Sequence, residues 1–519
     1  MNPTKIDNIT LEEFLYYAVF SILLFIKGIG LDEGNLFFRL CLVVAMALFA
    51  VKILIGKYTL LELAVIGIGI LWGIFLFFNM GSFGILIYMM MLLGMKNISV
   101  EKTMKVGLAV WSVCVFATVT AGIFFERYGV RVVHEKFGLG PLLRESLGYG
   151  HPNVLHITYI LLMVFVLYCC REEKSIKAIL LLIAGNLFIF LYSMSYTGLL
   201  FSMALIIGYF YFNYRKKRTI LEDGLLQLIL PLCIILTVII APLIDVHGQL
   251  YRVLNSLLNN RIYIIKVFFT EFDLTLFGER IYKGNISLDN SYLYALGWYG
   301  VVFFGVAMVA YLLLIHHYVK ENRRKELAIL CAFLIGGLTE QFLFNGSIKN
   351  ITVIFLGEAF FRFAKNRGKE LSLVKGGSVS QVELHLPLEW FERGSRFIGI
   401  CFRPKTIIIY LIVLAAAIPA AFLIPMQKVE TVYVNEKQCH YYEETVKAEE
   451  IEDGPAVVVI GDRSEGQSFH YFTKENSNLI QFSEVRYKIS LGVYMAAGIT
   501  VAGILIQVRT GKNNHDTTL

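Results

Sequence analysis

The chain has 519 residues, of which 57% are hydrophobic and 17% charged, and its mean hydropathy is +0.64. Soluble proteins carry about 25% charged residues, so this composition excludes a string of soluble domains and indicates a polytopic membrane protein. The net charge of +7 arises from short basic clusters between apolar runs, not from one basic patch. Such clusters indicate membrane topology, and we expect no nucleic-acid partner.

Fourteen apolar segments are predicted to form helices, because a helix of about 20 apolar residues crosses a hydrocarbon core about 30 Å thick. Two of them, 82–95 and 350–363, are short for a full crossing. The segments are 12–30, 36–55, 59–80, 82–95, 104–125, 154–170, 175–193, 196–214, 224–243, 291–315, 326–344, 350–363, 405–425 and 488–507.

Basic residues follow every even-numbered segment, as in the Arg-Lys-Lys-Arg run at 215–218. Because lysine and arginine favour cytoplasmic loops, this alternation predicts that both termini are cytoplasmic and that the protein is a multi-pass protein of the cell membrane. Three long connections, 126–153, 244–290 and 426–487, are then extracellular.

The predicted fold is an all-α polytopic membrane protein with a twelve-span helical core over residues 1–365. Residues 366–404 form a cytoplasmic linker with an amphipathic segment that is suited to the inner headgroup layer. Residues 405–519 contribute two further spans, which flank a small β-rich extracellular module at 426–487. The β prediction depends on short apolar runs that are broken by turn residues.

The sequence contains no pattern of a metal, nucleotide or disulfide site. Only Cys439 of the eight cysteines lies in a long polar segment, and no CxxC, HExxH or Walker A motif occurs. We therefore expect neither a metal nor a cofactor.

The first candidate site residue is Arg144, which precedes His151-Pro152-Asn153 on the predicted outer face. Proline disfavours a helical conformation at His151, and Asn153 is a candidate N-cap for the next segment. Arg144 then lies near a helix N-terminus that favours anions. The alternative is a plain turn with an arginine that snorkels to headgroups.

The second is Arg261, which opens a predicted amphipathic helix at 262–272 on the same face. Arginine makes bidentate contacts with phosphate or carboxylate oxygens. A surface arginine that bridges to Glu271 or Asp273 is the alternative interpretation.

Two carboxylates complete the set. Asp289 is either the N-cap of the tenth segment or a carboxylate that accepts a proton. Glu340 lies within an apolar segment, where an ionisable residue needs a partner, and Arg39 is its candidate structural partner. Ser195, with its polar neighbours 193 and 197, is expected to line the same cavity.

Taken in chain order, these residues resemble the O-antigen ligase and O-antigen polymerase family of bacterial envelope enzymes, over about residues 1–365. The matching motifs are 144–153, the Ser-Tyr-Thr-Gly run at 195–198, the stretch from Arg261 to Phe277-Gly278, and the stretch from Asp289 to Gly300.

Two residues depart from the family pattern. Asp289 stands where the family's ligases carry histidine, which favours a polymerase or a ligase with another acceptor. Tyr196 replaces the usual arginine, so no anion-binding role carries over to that position. The last two predicted spans and the segment between them lie outside the pattern.

The resemblance implies metal-independent glycosyl transfer from an undecaprenyl-pyrophosphate-linked oligosaccharide at the outer membrane face. Arg144 and Arg261 would stabilise the pyrophosphate leaving group, Asp289 would deprotonate the acceptor, and Glu340 would be an alternative base or would position an arginine. Partners would be the lipid bilayer and other polysaccharide assembly proteins. Expected substrate-binding residues are His151, Asn153, Asn290, Tyr292, Ser195 and Arg39.

Three other functions compete with polymerisation of repeat units. A ligase would transfer the glycan to a distinct acceptor. A flippase or exporter of lipid-linked oligosaccharide predicts charged residues along a path through the bilayer. A structural or sensory protein would act through residues 426–487.

Overall fold

The structure is a computed structural model, and its described residues are 9–124, 131–136, 140–170, 175–258, 260–280, 288–365, 367–372, 382–384, 403–424, 433–435, 459–460, 469–470 and 478–516.

Helices make up most of the described chain. They are α1 (Leu11–Gly28), α2 (Leu36–Ile55), α3 (Leu60–Met80), α4 (Gly84–Leu93), α5 (Val100–Phe124), α6 (Pro152–Cys169), α7 (Ser175–Ser193), α8 (Tyr196–Tyr214), α9 (Ile220–Ile235), α10 (Ala241–Leu243), α11 (Gln249–Leu257), α12 (Arg261–Glu271), α13 (Ser291–Lys320), α14 (Arg324–Gly336), α15 (Thr352–Ala364), α16 (Pro404–Leu423) and α17 (Asn478–Asp516). A π-helical turn, Leu236–Ile240, joins α9 to α10.

The strands are short. They are β1 (Ile9–Thr10), β2 (Lys57–Tyr58), β3 (Arg131–Lys136), β4 (Gly140–Glu145), β5 (Leu371–Ser372), β6 (Glu383–Leu384), β7 (Tyr433–Asn435), β8 (Val459–Ile460) and β9 (Phe469–His470). β3 and β4 form an antiparallel hairpin that pairs Arg131 with Glu145 and Val132 with Arg144.

Each of the fourteen predicted apolar segments contains a helix. Within the described part of the chain, ten helices are long and apolar enough to cross a bilayer, which supports a polytopic helical membrane protein. By contrast, α4 has 10 residues, and α14 and α15 have 13 each. At 1.5 Å per residue these three are shorter than the hydrocarbon core, and α14 and α15 are joined by a non-helical connection over 337–351.

The chain divides into two compact units. The larger unit, residues 10–121 and 146–383, holds the helices from α1 to α15 apart from the end of α5. The smaller unit comprises residues 1–9, 122–145 and 384–519, and in it α16 packs along α17, where Gly492 lies against Ile418. The predicted division at 365 therefore falls 19 positions before Leu384, where the smaller unit resumes.

Two predictions for the smaller unit concern residues that are largely outside the described ones. Of the predicted amphipathic segment 384–402, only Leu384 is described. Of the predicted module 426–487, the described parts are three short strands, paired in the order β8-β7-β9, and the start of α17.

Capping explains where several helices of the larger unit begin. Thr10, Thr59 and Thr219 each accept a hydrogen bond from the backbone of a glutamate three residues later, whose carboxylate in turn accepts one from the threonine backbone. These capping boxes satisfy N–H groups that lack partners within the helix. They fix the starts of α1, α3 and α9.

Two buried ion pairs join neighbouring helices in the larger unit. Lys52 of α2 lies 3.0 Å from Glu12 of α1, and Lys96, after α4, lies 2.7 Å from Glu62 of α3. All four side chains are almost fully buried. Because an unpaired buried charge is costly, these pairs specify which helices are neighbours.

A break in α13 fixes the connection that precedes it. Gly300 has φ 82°, which interrupts the helix, and the N–H groups of Val301 and Val302 donate instead to the carbonyls of Thr275 and Leu276. Gly278 also has positive φ, and a Cβ there would lie 2.0 Å from the Trp298 carbonyl oxygen. Only glycine fits at this crossing without displacement of backbone.

We expect Gly300→Ala to lower the thermal stability of the detergent-solubilised protein. The backbone conformation of Gly300 (φ 82°, ψ 173°) is essentially restricted to glycine and costs other residues roughly 1–3 kcal/mol, and the added Cβ would lie 2.3 Å from the Gly278 nitrogen. Gly305→Ala, in the same helix and with open space around its Cβ position, is the matched control and should be neutral or stabilising. Equal melting temperatures for the two variants would contradict this account of the break.

Candidate functional site

The site is built around Arg261, the first residue of α12. Its side chain is 4% exposed. Its Nε donates to the Thr339 carbonyl at 2.6 Å, Nη1 donates to the Leu258 carbonyl at 3.0 Å, and Nη2 donates to Glu340 Oε1 at 3.1 Å. The guanidinium is thus held on three sides by the protein. The alternative in which Arg261 bridges to Glu271 or Asp273 is wrong.

A second carboxylate faces the same guanidinium. Asp289 Oδ2 lies 3.6 Å from Arg261 Nη2, which is an ion-pair contact beyond hydrogen-bond length. The Asp289 side chain is 29% exposed, whereas that of Glu340 is 8% exposed. The structure therefore brings together three of the predicted residues, Arg261, Asp289 and Glu340, and gives the two carboxylates unequal access to solvent.

Glu340 is the acceptor that ties three segments together. Besides Arg261, its Oε1 accepts hydrogen bonds from Asn153 Nδ2 at 3.1 Å and from Thr197 Oγ1 at 2.7 Å. These donors lie in the first turns of α6 and α8. Three donors on one oxygen suit a carboxylate that positions its neighbours. Thr197 is thereby joined to Glu340, while the cavity that Ser193, Ser195 and Thr197 are expected to line stays a prediction.

Glu340 does not pair with Arg39, so the predicted structural partnership is wrong. Arg39 is exposed, and its Nε donates to the Glu33 carbonyl at 2.9 Å. The reason is geometric: the exposed side chain is satisfied six residues back along the chain, while α6, α8 and α12 supply the partners of Glu340.

The N-cap of α13 is Asn290, not Asp289. The Asn290 Oδ1 accepts from the backbone N–H groups of Tyr292 and Leu293, and its Nδ2 donates to Thr237 in the π-helical turn and to the Leu338 carbonyl. Because the neighbouring asparagine provides the cap, the Asp289 carboxylate is left to face Arg261. Asn290 is buried and its amide is used within the protein.

The start of α13 is bonded directly to the connection that carries Glu340. Ser291 Oγ donates to the Glu340 carbonyl, and the Ser291 N–H donates to the Gly337 carbonyl at 2.8 Å. Tyr292 is fully buried and donates to the Leu334 carbonyl at 2.6 Å. The start of α13, which follows Asp289, and the connection that carries Glu340 are therefore held rigidly together. The Tyr292 hydroxyl contributes one of the hydrogen bonds that join α13 to α14.

The N-cap of α6 is His151, not Asn153. The His151 Nδ1 accepts from the Asn153 N–H at 3.2 Å, and Pro152 occupies the first helical position. Proline suits that position because its missing N–H would have no helical partner there. The Asn153 side chain is therefore available to bond Glu340.

A buried polar network, which the sequence analysis did not identify, lies next to the start of α8. His156 of α6 contacts Ser193 at 3.0 Å and Asn186 at 2.9 Å, and Asn186 donates to Ser202. Ser195 caps α8 by accepting from the Gly198 N–H, and a Cβ at Gly198 would lie 2.4 Å from the His156 ring. The network fixes the close packing of α6 on α8.

Arg144 lies in strand β4, within the smaller unit, and its side chain is buried. It is not part of the unit that carries Arg261, Asp289 and Glu340. The role of Arg144 in substrate binding stays a prediction.

One buried cation of the larger unit was missed. Lys349 lies in the connection between α14 and α15 and is 3% exposed. The sequence offers a reason to single it out, because the predicted topology puts this lysine on the outer side of the membrane, where basic residues are scarce.

Within the described part of the chain there is no group of three or more His, Cys, Asp or Glu side chains that could hold a metal ion. What the geometry offers is a fixed guanidinium beside a partly exposed carboxylate.

Comparisons of the chain with family models, with curated proteins and with solved structures found no match.

We expect Glu340→Gln to destabilise the protein by on the order of 3 kcal/mol, because it leaves the buried charge of Arg261 without its closest counter-charge. Unfolding in detergent measures this. Glu271→Gln, at an exposed position of α12, is the control and should change stability by less than about 0.5 kcal/mol. Replacing both Arg261 and Glu340 by methionine should recover part of the loss. A Glu340→Gln variant as stable as Glu271→Gln would contradict the assignment.

Proposed function

We propose that the protein is a metal-independent membrane glycosyltransferase that polymerises undecaprenyl-pyrophosphate-linked oligosaccharide repeat units into a surface polysaccharide at the outer face of the cytoplasmic membrane. The observation that carries the proposal is the buried Arg261 guanidinium between two carboxylates of unequal exposure. It agrees with the roles that the family resemblance implies for the same residues.

Arg261 has donors left for an anion. A guanidinium has five N–H groups, and three of them make the hydrogen bonds to Thr339, Leu258 and Glu340. The two others, on Nη1 and Nη2, suit phosphate oxygens. A diphosphate bound there would replace the long contact between Arg261 and Asp289.

The proposed glycosyl transfer needs no metal ion, because the protein supplies both a proton acceptor and a cation for the leaving group. The acceptor sugar hydroxyl attacks the anomeric carbon of the donor, its proton passes to Asp289, and the bond from the anomeric carbon to the phosphate oxygen breaks. The leaving group is undecaprenyl pyrophosphate, and Arg261 stabilises the charge that develops on it. Removal of one such preorganised donor typically costs 10²–10³-fold in turnover.

The two carboxylates have different tasks. Asp289 is the more exposed, and its contact with Arg261 is beyond hydrogen-bond length, which favours it as the general base. Glu340 accepts three hydrogen bonds on one oxygen and is a positioning residue that holds Arg261 in place.

The finer expectations complete the proposal. They are twelve spans in the core, cytoplasmic termini, an extracellular β-rich module at 426–487, a pyrophosphate contact from Arg144, and other polysaccharide assembly proteins as partners. The bilayer would admit the polyprenyl chain from the side.

We expect Asp289→Asn to reduce turnover at least 100-fold while binding of the donor is retained, because the amide cannot accept the proton. Purified protein in nanodiscs is given lipid-linked oligosaccharide, and the products are separated by size. Asp273→Asn, at an exposed position of the same outer connection, is the matched control. A ladder of repeats supports a polymerase, one transfer to a distinct acceptor would make the protein a ligase, and a change of sidedness without new bonds would make it a flippase.

We also expect Arg261→Lys to lose most polymer formation while the protein stays in the membrane, because an ammonium cannot make the same set of directed contacts. Arg252→Lys, on the exposed helix α11, is the control for a charge-conserving change in the same connection. Normal polymer length in Arg261→Lys would reject the pyrophosphate role of this arginine.

The same assay tests Arg144. If it contacts the pyrophosphate, Arg144→Lys should also lose most polymer. Wild-type polymer from this variant would remove Arg144 from the site and leave the assignment of Arg261 intact.

A further inference from the structure

Lys349 is buried, and no described carboxylate forms an ion pair with it. Its Nζ donates one hydrogen bond, to the Val154 carbonyl at 3.1 Å. Among the described residues no carboxylate oxygen lies within 4.0 Å of it, which distinguishes it from Lys52 and Lys96. Those two lysines are as deeply buried, and each is paired with a glutamate.

An ammonium in such a place is poorly stabilised by the protein alone, since burial removes its hydration and one neutral carbonyl replaces little of it. Burial lowers the pKa of Lys349 to about 7, and repulsion from Lys27 acts in the same direction, while attraction to Glu340 and Asp32 opposes it. Lys349 lies in a connection outside the membrane-spanning helices. A bound anion would supply the missing counter-charge.

Lys349 and Arg261 converge on the same helix start. Lys349 bonds to the carbonyl of Val154, and the preceding residue, Asn153, donates to the Glu340 oxygen that also accepts from Arg261. The two cations are thus linked through adjacent residues in the first turn of α6. Asp32, which interacts electrostatically with Lys349, has a side chain that is 82% exposed.

We infer that Lys349 is a second cationic residue of the substrate site and binds the diphosphate of the lipid-linked donor together with Arg261. This assignment rests on the proposed function and extends it by a residue that neither the motifs nor the family resemblance singled out. The flexible four-carbon stem of lysine lets its ammonium turn from the Val154 carbonyl to a phosphate oxygen. Arg261, fixed by three hydrogen bonds, and Lys349 would then hold the two phosphates.

The test measures binding of undecaprenyl pyrophosphate to the full-length protein in nanodiscs, with Lys349→Met as the variant. We expect its affinity to fall at least tenfold. The control is Lys266→Met, because Lys266 also donates to a single carbonyl, that of Pro242, but is only half-buried. Inorganic pyrophosphate as a competitor shows whether the diphosphate alone is recognised or the lipid-linked form is required.

Thermal stability separates a binding role from a structural one. Methionine removes an unpaired buried charge, so ligand-free Lys349→Met should melt at the wild-type temperature or above, and the rise in melting temperature that the ligand gives the wild type should be lost. Wild-type affinity in the variant, or a less stable variant that keeps the ligand-induced rise, overturns the inference and leaves the proposed function standing. A wild-type protein that neither binds the lipid nor forms a ladder overturns the proposed function itself, and the inference with it.

Discussion

The charge on Arg261 lies where little water can reach it, and the position of the surrounding segments depends on how that charge is compensated. Glu340 compensates the charge of Arg261 with one carboxylate oxygen, and this oxygen also accepts hydrogen bonds from the starts of α6 and α8. Because breaking a buried ion pair costs far more than forming it gains, α6, α8, α12 and the connection after α14 must meet at this oxygen. Asp289 is brought to the same place by the bonds that fasten the start of α13 to that connection.

Buried lysines elsewhere in the larger unit follow the same rule, with one departure. Lys52 and Lys96 have glutamate partners from neighbouring helices, and these pairs specify packing. Lys349 has a backbone carbonyl instead. A protein retains a poorly compensated charge at a cost in stability, and such costs are concentrated where function requires them. The absence of a glutamate partner, and not burial alone, therefore distinguishes Lys349 from the other two lysines among the described residues.

Much of the helix pattern could be predicted from the sequence, because apolar runs of sufficient length leave the backbone few other ways to satisfy its hydrogen bonds in a membrane. Finer features could not. Asp289 and Asn290 both suit the N-cap of α13. At the start of α6, His151 provides the cap although Asn153 is the better candidate by residue type. Which residue caps a helix depends on tertiary partners such as Glu340 and Thr237. The choice matters, since a capping Asp289 could not have faced Arg261. The supposed pair of Arg39 and Glu340 failed for the same reason: hydropathy indicates that a charge needs a partner but not which element supplies it.

The crossing of Gly278 and Gly300 has a mechanical consequence for the site. The connection over residues 244–290 is attached to the helices by Arg261 near its middle and by hydrogen bonds from Val301 and Val302 further along. The broken helix that provides these bonds also begins two residues after Asp289. A tilt of its first three turns would therefore move the Asp289 carboxylate and the segment around Thr275 and Leu276 together.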